Sequence, residues 1–242
     1  MCGIVGGKNL KNIDEFLRET WDILKVRGED GFGVVFFDNK FNYLIFKDIK
    51  EDNVLKEIKN NKHKIKNFPY FLAHNRKATL GSLINYKLTH PIEYNSTLLI
   101  HNGTREVLKN IFDMESDTLS IAYILDEIEI KNHIKFLDKL LKLTGTIFGF
   151  KKSENLFFLK KDKTRTLYYS KEHKIFSSLP IFEDMRKIRE ISFIARKNFE
   201  DILKVLENSF EEKKKEKSEF LDSLENLENE EIFLFPRKVW KV

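Results

Sequence analysis

The 242-residue chain is 41% hydrophobic, 13% aromatic and 33% charged, and its formal net charge at pH 7 is +5. This apolar fraction can form a sizeable core, which excludes collagen-like and broadly disordered chains, and no apolar run approaches the ~18 residues of a membrane span. The start lacks the pattern of a signal peptide, and the single cysteine excludes an intrachain disulfide, so we expect a cytoplasmic protein.

The first half of the chain contains both helix and strand signals. A short strand is predicted at 3–6, and apolar residues at helical spacing between Leu10 and Leu24 predict a helix, which the glycine-rich segment 27–31 ends. The remaining elements predicted in this half are strands at 33–37, 43–46, 70–74 and 97–101 and a lysine-rich helix at 53–60.

In the second half, Ser116 and Asp117 form a typical helix start, and apolar residues follow at helical spacing. The other predicted elements are a helix at 134–143, strands at 146–150, 156–159, 166–169 and 174–176, a charged helical element at 199–231 and a final strand at 232–235. Helices and strands are grouped and do not strictly alternate, which favours a layered α+β domain. Lysines are mixed with acidic residues throughout, so neither nucleic acid nor a membrane is an expected partner.

Cys2 is the sharpest chemical feature of the sequence. Removal of Met1 would make it the N-terminal residue, so that its own α-amine, with a reference pKa of ~8, could act as the base for its thiol. Gly3 would let the backbone approach a substrate closely. Taken alone, however, a small buried residue is the better explanation of a cysteine at this position.

Polar residues also follow two of the predicted apolar strands. Arg76 could hold a carboxylate through two parallel hydrogen bonds, with Thr79 as a further donor, although a surface ion pair is the alternative. The Asn102 amide and the Gly103 N–H could donate together to an oxyanion, although Asn-Gly is also typical of a hairpin turn.

Four more polar residues lie in or near these segments. Asp117 could bind an ammonium group, or it could simply interact favourably with the helix dipole. His74, His90 and His101 suggest a metal site, but no pair of them has the i, i+4 spacing of ligands on a helix. We therefore expect no metal, and we expect the histidines to be structural.

Several short motifs occur together in one order. They are Met1-Cys2-Gly3-Ile4-Val5-Gly6, Arg27-Gly28-Glu29-Asp30-Gly31-Phe32-Gly33, His74-x-Arg76-x-Ala78-Thr79-x-Gly81, His90-Pro91, His101-Asn102-Gly103 and Ser116-Asp117-Thr118. In order and approximate spacing they resemble the class II glutamine amidotransferases, N-terminal-nucleophile (Ntn) hydrolases that release ammonia from glutamine. The resemblance covers Cys2 to about Leu179. Lys77, Leu80 and the loop 82–89 depart from the family pattern, which affects site closure and the partner more than the chemistry.

The resemblance implies the groups that perform acyl transfer. Cys2 would be the nucleophile, with its own α-amine as base and later proton donor. The Asn102 side chain and the Gly103 N–H would form the oxyanion hole. Residues with a supporting role would be Arg27, in the loop bordering Cys2, and His74, His90 and His101.

The resemblance also implies how L-glutamine binds. Arg76 would hold the α-carboxylate with help from Thr79, Asp117 would bind the α-ammonium group, and Gly103 would contact the substrate. No cofactor is implied. The expected fold is a four-layer αββα Ntn-hydrolase sandwich with two antiparallel or mixed sheets, and residues 1–242 are expected to form one amidotransferase domain with 199–231 as a charged helical insertion.

Three functions remain open at this point. The first is a stand-alone glutaminase that supplies ammonia to a separate synthase partner, which could be ATP-dependent, because the chain contains no phosphate loop or dinucleotide fingerprint. The second is an autonomous hydrolase of a γ-glutamyl or other small amide. The third is an inactive binding module, against which the complete set of site residues argues.

Overall fold

The computed structural model describes residues 2–78 and 86–211. The strands in these residues are β1 (Gly3–Lys8), β2 (Phe32–Phe37), β3 (Tyr43–Asp48), β4 (Tyr70–Asn75), β5 (Ile92–Tyr94), β6 (Thr97–Asn102), β7 (Thr146–Lys151), β8 (Leu156–Lys161), β9 (Tyr168–Ser170), β10 (Ile175–Ser177), β11 (Arg186–Lys187) and β12 (Ile191–Arg196). The helices are α1 (Ile13–Leu24), α2 (Glu51–Asn60), α3 (Lys62–Ile65), α4 (Glu106–Phe112), α5 (Asp117–Glu127), α6 (Ile130–Leu140) and α7 (Phe199–Glu207), with 3₁₀ turns at Tyr86–Leu88 and Lys152–Glu154.

The strands form two sheets. The first has the strand order β11-β9-β10-β1-β4-β2-β3, and the second has the order β12-β8-β7-β6-β5. Neighbouring strands are antiparallel in both sheets. In the first sheet, β1 lies between β10 and β4, and Gly3 is opposite Asn75. The start of β1 is therefore beside the end of β4, and the residues flanking these strands are brought together.

An apolar core fills the space between the sheets. Side chains on one face of each sheet meet there, including Leu72 of β4 and Ile100 of β6. The rings of Phe148 and Phe176, one from each sheet, stack with centroids 4.1 Å apart. Helix α7 contributes its buried face to the same core. This packing fixes the two sheets against each other.

Helices cover the outer faces of both sheets. On the first sheet, Leu17, Trp21 and Leu24 of α1 recur at helical spacing and are fully buried, and α2 packs beside them. On the second sheet, the buried apolar residues of α5 and α6 pack against residues of the strands and form a separate apolar core. The described residues thus have the αββα layers that the sequence predicts.

The predicted helix beginning at 199 is α7, which ends at Glu207. Residues 212–231 of the predicted charged element, and the predicted strand at 232–235, lie outside the described residues. The longest helix among the described residues, α1, has 12 residues, and none of the described helices has the apolar length required for a membrane span.

Candidate active site

One cavity lies where the ends of β1, β4 and β6 meet the start of α5. It brings together the predicted catalytic and substrate-binding residues Cys2, Arg76, Gly103 and Asp117 and two of the predicted supporting residues, His90 and His101. The cavity is also lined by Lys77, Leu88, Ser116 and Thr118. Its volume is about 30 Å³, which is room for about one water molecule. Glutamine could therefore enter only if some of the lining residues moved.

Cys2 lies immediately before β1 and is 8% exposed. The Lys77 N–H donates a hydrogen bond to the Cys2 Sγ over 3.3 Å. Burial raises the pKa of the Cys2 thiol, although this hydrogen bond acts in the opposite direction. At neutral pH the thiol is therefore protonated, and it needs a base before it can act as a nucleophile.

Arg76 follows β4 and is only 4% exposed, so the alternative prediction of a surface ion pair is wrong. Its backbone is held by the loop 28–31: the Arg76 N–H donates to the Gly31 carbonyl over 2.7 Å, and the Asp30 N–H donates to the Arg76 carbonyl over 2.9 Å. Burial lowers the pKa of the guanidinium, which nevertheless stays charged at neutral pH. Arg76 thus supplies a positive charge beside the thiol, from a backbone that the loop 28–31 holds.

Asn102 and Gly103 stand at the end of β6. The chain continues from them into α4, so the alternative of a hairpin turn is wrong. Asn102 is 1% exposed, and within the described residues neither its Oδ1 nor its Nδ2 has a hydrogen-bond partner. Asn102 does not itself line the cavity as described, whereas Gly103 does. The amide is therefore a buried donor without a partner among the described residues, in a segment whose neighbours His101 and Gly103 line the cavity.

Asp117 is the first residue of α5. The Ser116 side chain caps this helix by accepting the Leu119 N–H over 3.1 Å. The Asp117 carboxylate accepts two backbone N–H groups, that of Thr118 over 2.9 Å and that of Arg105 over 2.6 Å. Both earlier interpretations of Asp117 are compatible with this arrangement, because a first-turn carboxylate can also face the cavity.

Arg27 acts on Cys2 indirectly, through Ser178 and strand β1. Its Nη2 donates to the Thr166 hydroxyl over 2.8 Å and to the Ser178 carbonyl over 3.0 Å. Ser178 in turn holds Ile4 of β1, because the Ser178 N–H donates to the Ile4 carbonyl and the Ile4 N–H donates to the Ser178 hydroxyl. Arg27 therefore holds the strand that begins just after Cys2.

The three histidines are buried together around Thr118. His90 Nδ1 lies 2.7 Å from His74 Nε2, and the Thr118 Oγ1 lies 3.1 Å from His90 Nε2 and 3.0 Å from His101 Nδ1. Burial lowers the pKa of His74 to about 3 and that of His90 well below its usual value. In the described parts of the chain, no group of three or more His, Cys, Asp or Glu side chains is placed to hold a metal ion.

The sequence assigns no role to Thr118, which lines the cavity, or to Asp162, which holds a segment next to it. Asp162 follows β8, and its carboxylate accepts the Gly145 N–H over 2.7 Å, while its own N–H donates to the Gly145 carbonyl over 3.1 Å. Gly145 has a φ of 103° and packs against the Asn102 and Gly103 backbone. A single acid after a strand gives no local signal for such a contact. Thr79, a predicted substrate-binding residue, lies outside the described residues.

The known proteins similar in sequence to this chain include aminotransferases that use glutamine. No protein-family model matches the chain. Over 159 residues it is 31% identical to the glutamine–fructose-6-phosphate aminotransferase (isomerizing) of Francisella tularensis, a match that covers 59% of this chain and 25% of that protein. Over 135 residues it is 35% identical to the protein of the same name from Buchnera aphidicola, covering 52% and 22%. The chain thus matches only about a quarter of the length of these relatives.

Solved structures share its fold. Glutamine phosphoribosylpyrophosphate amidotransferase from B. subtilis superposes with a TM-score of 0.53 at 18% identity, covering 81% of this chain and 49% of that one. A structure described as the allosteric regulatory enzyme of purine biosynthesis gives a TM-score of 0.55 at 18% identity, covering 81% and 48%. The resemblance to class II glutamine amidotransferases and the Ntn-hydrolase sandwich are both confirmed.

Proposed function

We propose that this chain, a relative of the class II glutamine amidotransferases, hydrolyses the side-chain amide of L-glutamine through a thioester on Cys2. The observation that carries the proposal is that one cavity is lined by a thiol, a buried arginine and a carboxylate. A free amino acid carries one anionic and one cationic group on its α-carbon. Arg76 and Asp117 supply one opposite charge for each, and Cys2 lies in the same cavity for the reacting end.

The proposed first step is attack of the Cys2 Sγ on the γ-carbonyl carbon of glutamine. Because burial raises the pKa of this thiol, its proton must be removed by a base. After removal of Met1, the α-amine of Cys2 would be that base, and it would then protonate the leaving nitrogen so that ammonia departs. Water would hydrolyse the resulting thioester to glutamate and regenerate the thiol.

The oxyanion of the tetrahedral intermediate needs donors that are already in place. The Asn102 amide is buried and unsatisfied among the described residues, which is costly unless a ligand accepts its hydrogen bond. We assign it, together with the Gly103 N–H, to the oxyanion. A donor that gains its partner only in the transition state accelerates the reaction without tightening substrate binding.

We place the use of the ammonia on a separate synthase partner, which could be ATP-dependent. The relatives from Francisella and Buchnera, of which this chain matches about a quarter, are named as aminotransferases. Purification of the tagged chain from its own cells tests this point: we expect a synthase to co-purify and to raise glutamine turnover, and turnover unaffected by any co-purifying protein would contradict it.

Release of glutamate from glutamine tests the catalytic proposal. We expect turnover by the wild type and none by Cys2→Ala, with both proteins equally folded by circular dichroism. A parallel assay with γ-glutamyl amides other than glutamine separates a glutaminase from a more general hydrolase. A wild type that hydrolyses neither substrate, alone or with its co-purifying proteins, would contradict the proposal and favour a binding module.

A further inference from the structure

We propose that Thr118 is the central residue of a buried chain of hydrogen bonds, the relay, which positions the oxyanion-hole segment Asn102–Gly103. This proposal rests on the proposed function. The relay consists of His74, His90, Thr118, His101 and the Thr144 carbonyl, all of them buried. It passes in one direction through the imidazole rings of the three histidines. Thr118 lies at its centre, where one hydroxyl joins two histidines.

The two ends of the relay fix its direction. His74 Nε2 lies 3.0 Å from the His101 carbonyl oxygen, and His101 Nε2 lies 2.6 Å from the Thr144 carbonyl oxygen. A carbonyl oxygen can only accept a hydrogen bond, so both Nε2 atoms must carry a hydrogen. The Nδ1 atom of a neutral imidazole protonated in this way is an acceptor.

The middle of the relay then has one consistent arrangement. His74 Nε2 has one hydrogen, which it shares between the His101 carbonyl oxygen at 3.0 Å and His90 Nδ1 at 2.7 Å, so His90 Nδ1 accepts. A neutral His90 then carries its hydrogen on Nε2 and donates to the Thr118 hydroxyl. The Thr118 hydroxyl donates its only hydrogen to His101 Nδ1 over 3.0 Å, because the Asp117 carboxylate is more distant at 3.5 Å. All three histidines are therefore Nε2–H tautomers.

The unused ring nitrogen at the start of the relay agrees with this assignment. His74 Nδ1 is buried and has no hydrogen-bond partner among the described residues. It is the one nitrogen that the assignment leaves as a bare acceptor. A hydrogen on His74 Nδ1 would be a buried donor without an acceptor, which costs free energy, and no other hydrogen bond would form because of it.

The relay joins the chain segments that hold the three proposed substrate-binding groups. His74 is two residues before Arg76, His101 is directly before Asn102, and Thr118 directly follows Asp117. A side chain that fixes these segments to one another controls the position of the oxyanion donors relative to the groups that bind the α-carboxylate and α-ammonium of glutamine. Thr118 would thus act as a positioning residue, through its hydroxyl and without touching the reacting atoms.

Two variants of Thr118 and one control test the inference. Thr118→Val keeps the shape and removes the hydroxyl, and Thr118→Ser keeps the hydroxyl. Thr97→Val removes another buried hydroxyl from β6 at the end opposite Asn102, where it bonds to Asp126. We expect Thr118→Val to lower kcat by about 10- to 100-fold and to leave KM within about threefold of the wild-type value. The reason is that displaced oxyanion donors slow the chemical step more than they weaken substrate binding. Thr118→Ser and Thr97→Val should keep kcat within about threefold.

Nuclear magnetic resonance gives a measurement independent of activity. In ¹⁵N-histidine-labelled wild type at pH 7, we expect His74, His90 and His101 to be neutral Nε2–H tautomers. In Thr118→Val, the His101 Nδ1 resonance and the backbone amides of Asn102 and Gly103 should shift, whereas in Thr97→Val they should not.

Each outcome decides a definite point. Wild-type kcat in Thr118→Val, an equal loss in Thr97→Val, or any of the three histidines charged or protonated on Nδ1 would overturn the inference. If the wild type hydrolysed no glutamine, the proposed function would fail, and the positioning role would fail with it. The tautomers and the amide shifts would then still establish or overturn the relay itself.

Discussion

The backbone N–H of Lys77 donates to the Cys2 Sγ over 3.3 Å, and the peptide unit that carries it also carries the Arg76 carbonyl. Gly28 packs against this peptide so closely that a Cβ on Gly28 would lie 2.5 Å from the Arg76 oxygen and 2.6 Å from the Lys77 nitrogen. One peptide unit therefore sets both the environment of the proposed nucleophile and the backbone of the proposed carboxylate ligand. Its position depends on a glycine.

Gly28→Ala tests this dependence. The added methyl group must displace the peptide between Arg76 and Lys77, so we expect kcat for glutamine hydrolysis to fall by about 10-fold or more. The rate of Cys2 alkylation should change as well, because the thiol loses its N–H donor. Glu29→Ala, an exposed change in the same loop, is the control and should leave both rates unaltered. Equal behaviour of the two variants would contradict the role of Gly28.

Arg76→Ala and Asp117→Ala should each weaken glutamine binding. A charge-assisted hydrogen bond contributes about 1.5–3 kcal/mol, so KM should rise by roughly 10- to 100-fold. Asp117→Ala should also lower stability, since the carboxylate holds two backbone N–H groups, and unfolding in urea will separate that effect from binding. A wild-type KM in either folded variant would show that its assigned contact with glutamine is wrong.

Asn102 provides a test of the oxyanion assignment. Loss of a transition-state donor should lower kcat by ~10²–10³ and barely change KM. Asn102→Asp should be as damaging as Asn102→Ala or worse, because it places a negative charge beside a developing one. Glutamate release by the two variants is the measurement. Near-normal turnover in Asn102→Asp would exclude the oxyanion role.

Much of the fold could be predicted from local patterns, because burial and periodicity coincide there. Leu17, Trp21 and Leu24 form a regular apolar stripe, and α1 lies where that stripe predicts a helix. Helix α4 could not be predicted in this way, since its Val107 and Ile111 are exposed and only Leu108 is buried. Of its seven residues, only Leu108 and the partly buried Phe112 pack against the core, which is too short a stripe to predict a helix.

The candidate site could be predicted only in part. Cys2, Arg76, Gly103 and Asp117 were predicted from motifs, and the cavity brings them together. Thr118 was part of a motif, yet its hydrogen bonds depend on side chains from two other strands or loops, which no spacing reveals. Asn102 was predicted as an oxyanion donor, but its complete burial follows from the packing of β6 and not from the sequence.

The buried histidines predict that stability decreases as the pH falls. Burial lowers the pKa of His74 to about 3, and lowers that of His90, from an unfolded value near 6.5. Above pH 6.5 the two histidines are neutral in the folded and in the unfolded protein. Below pH 6.5 they become protonated in the unfolded protein but stay neutral in the folded protein. Each histidine should therefore lower the free energy of unfolding by about 1.4 kcal/mol between pH 7.5 and pH 5.5.

Urea unfolding at the two pH values measures this loss. The carboxylates whose pKa is lowered by folding, such as Asp126 and Glu154, affect stability only at still lower pH, so they contribute little in this window. We expect the free energy of unfolding to decrease by about 3 kcal/mol for the two histidines together. An unfolding free energy that stays constant from pH 7.5 to pH 5.5 would contradict the neutral, buried state of the histidines.

The proposed mechanism requires that Cys2, as the N-terminal residue, carries a γ-glutamyl thioester during turnover. Mass spectrometry of the N-terminal peptide, after acid quenching of the protein with glutamine, detects this intermediate. We expect a peptide that begins at Cys2 without Met1 and carries one glutamyl group on Cys2, and no such adduct in Cys2→Ala. Active protein that retains Met1, or turnover with no glutamyl group ever found on Cys2, would contradict it.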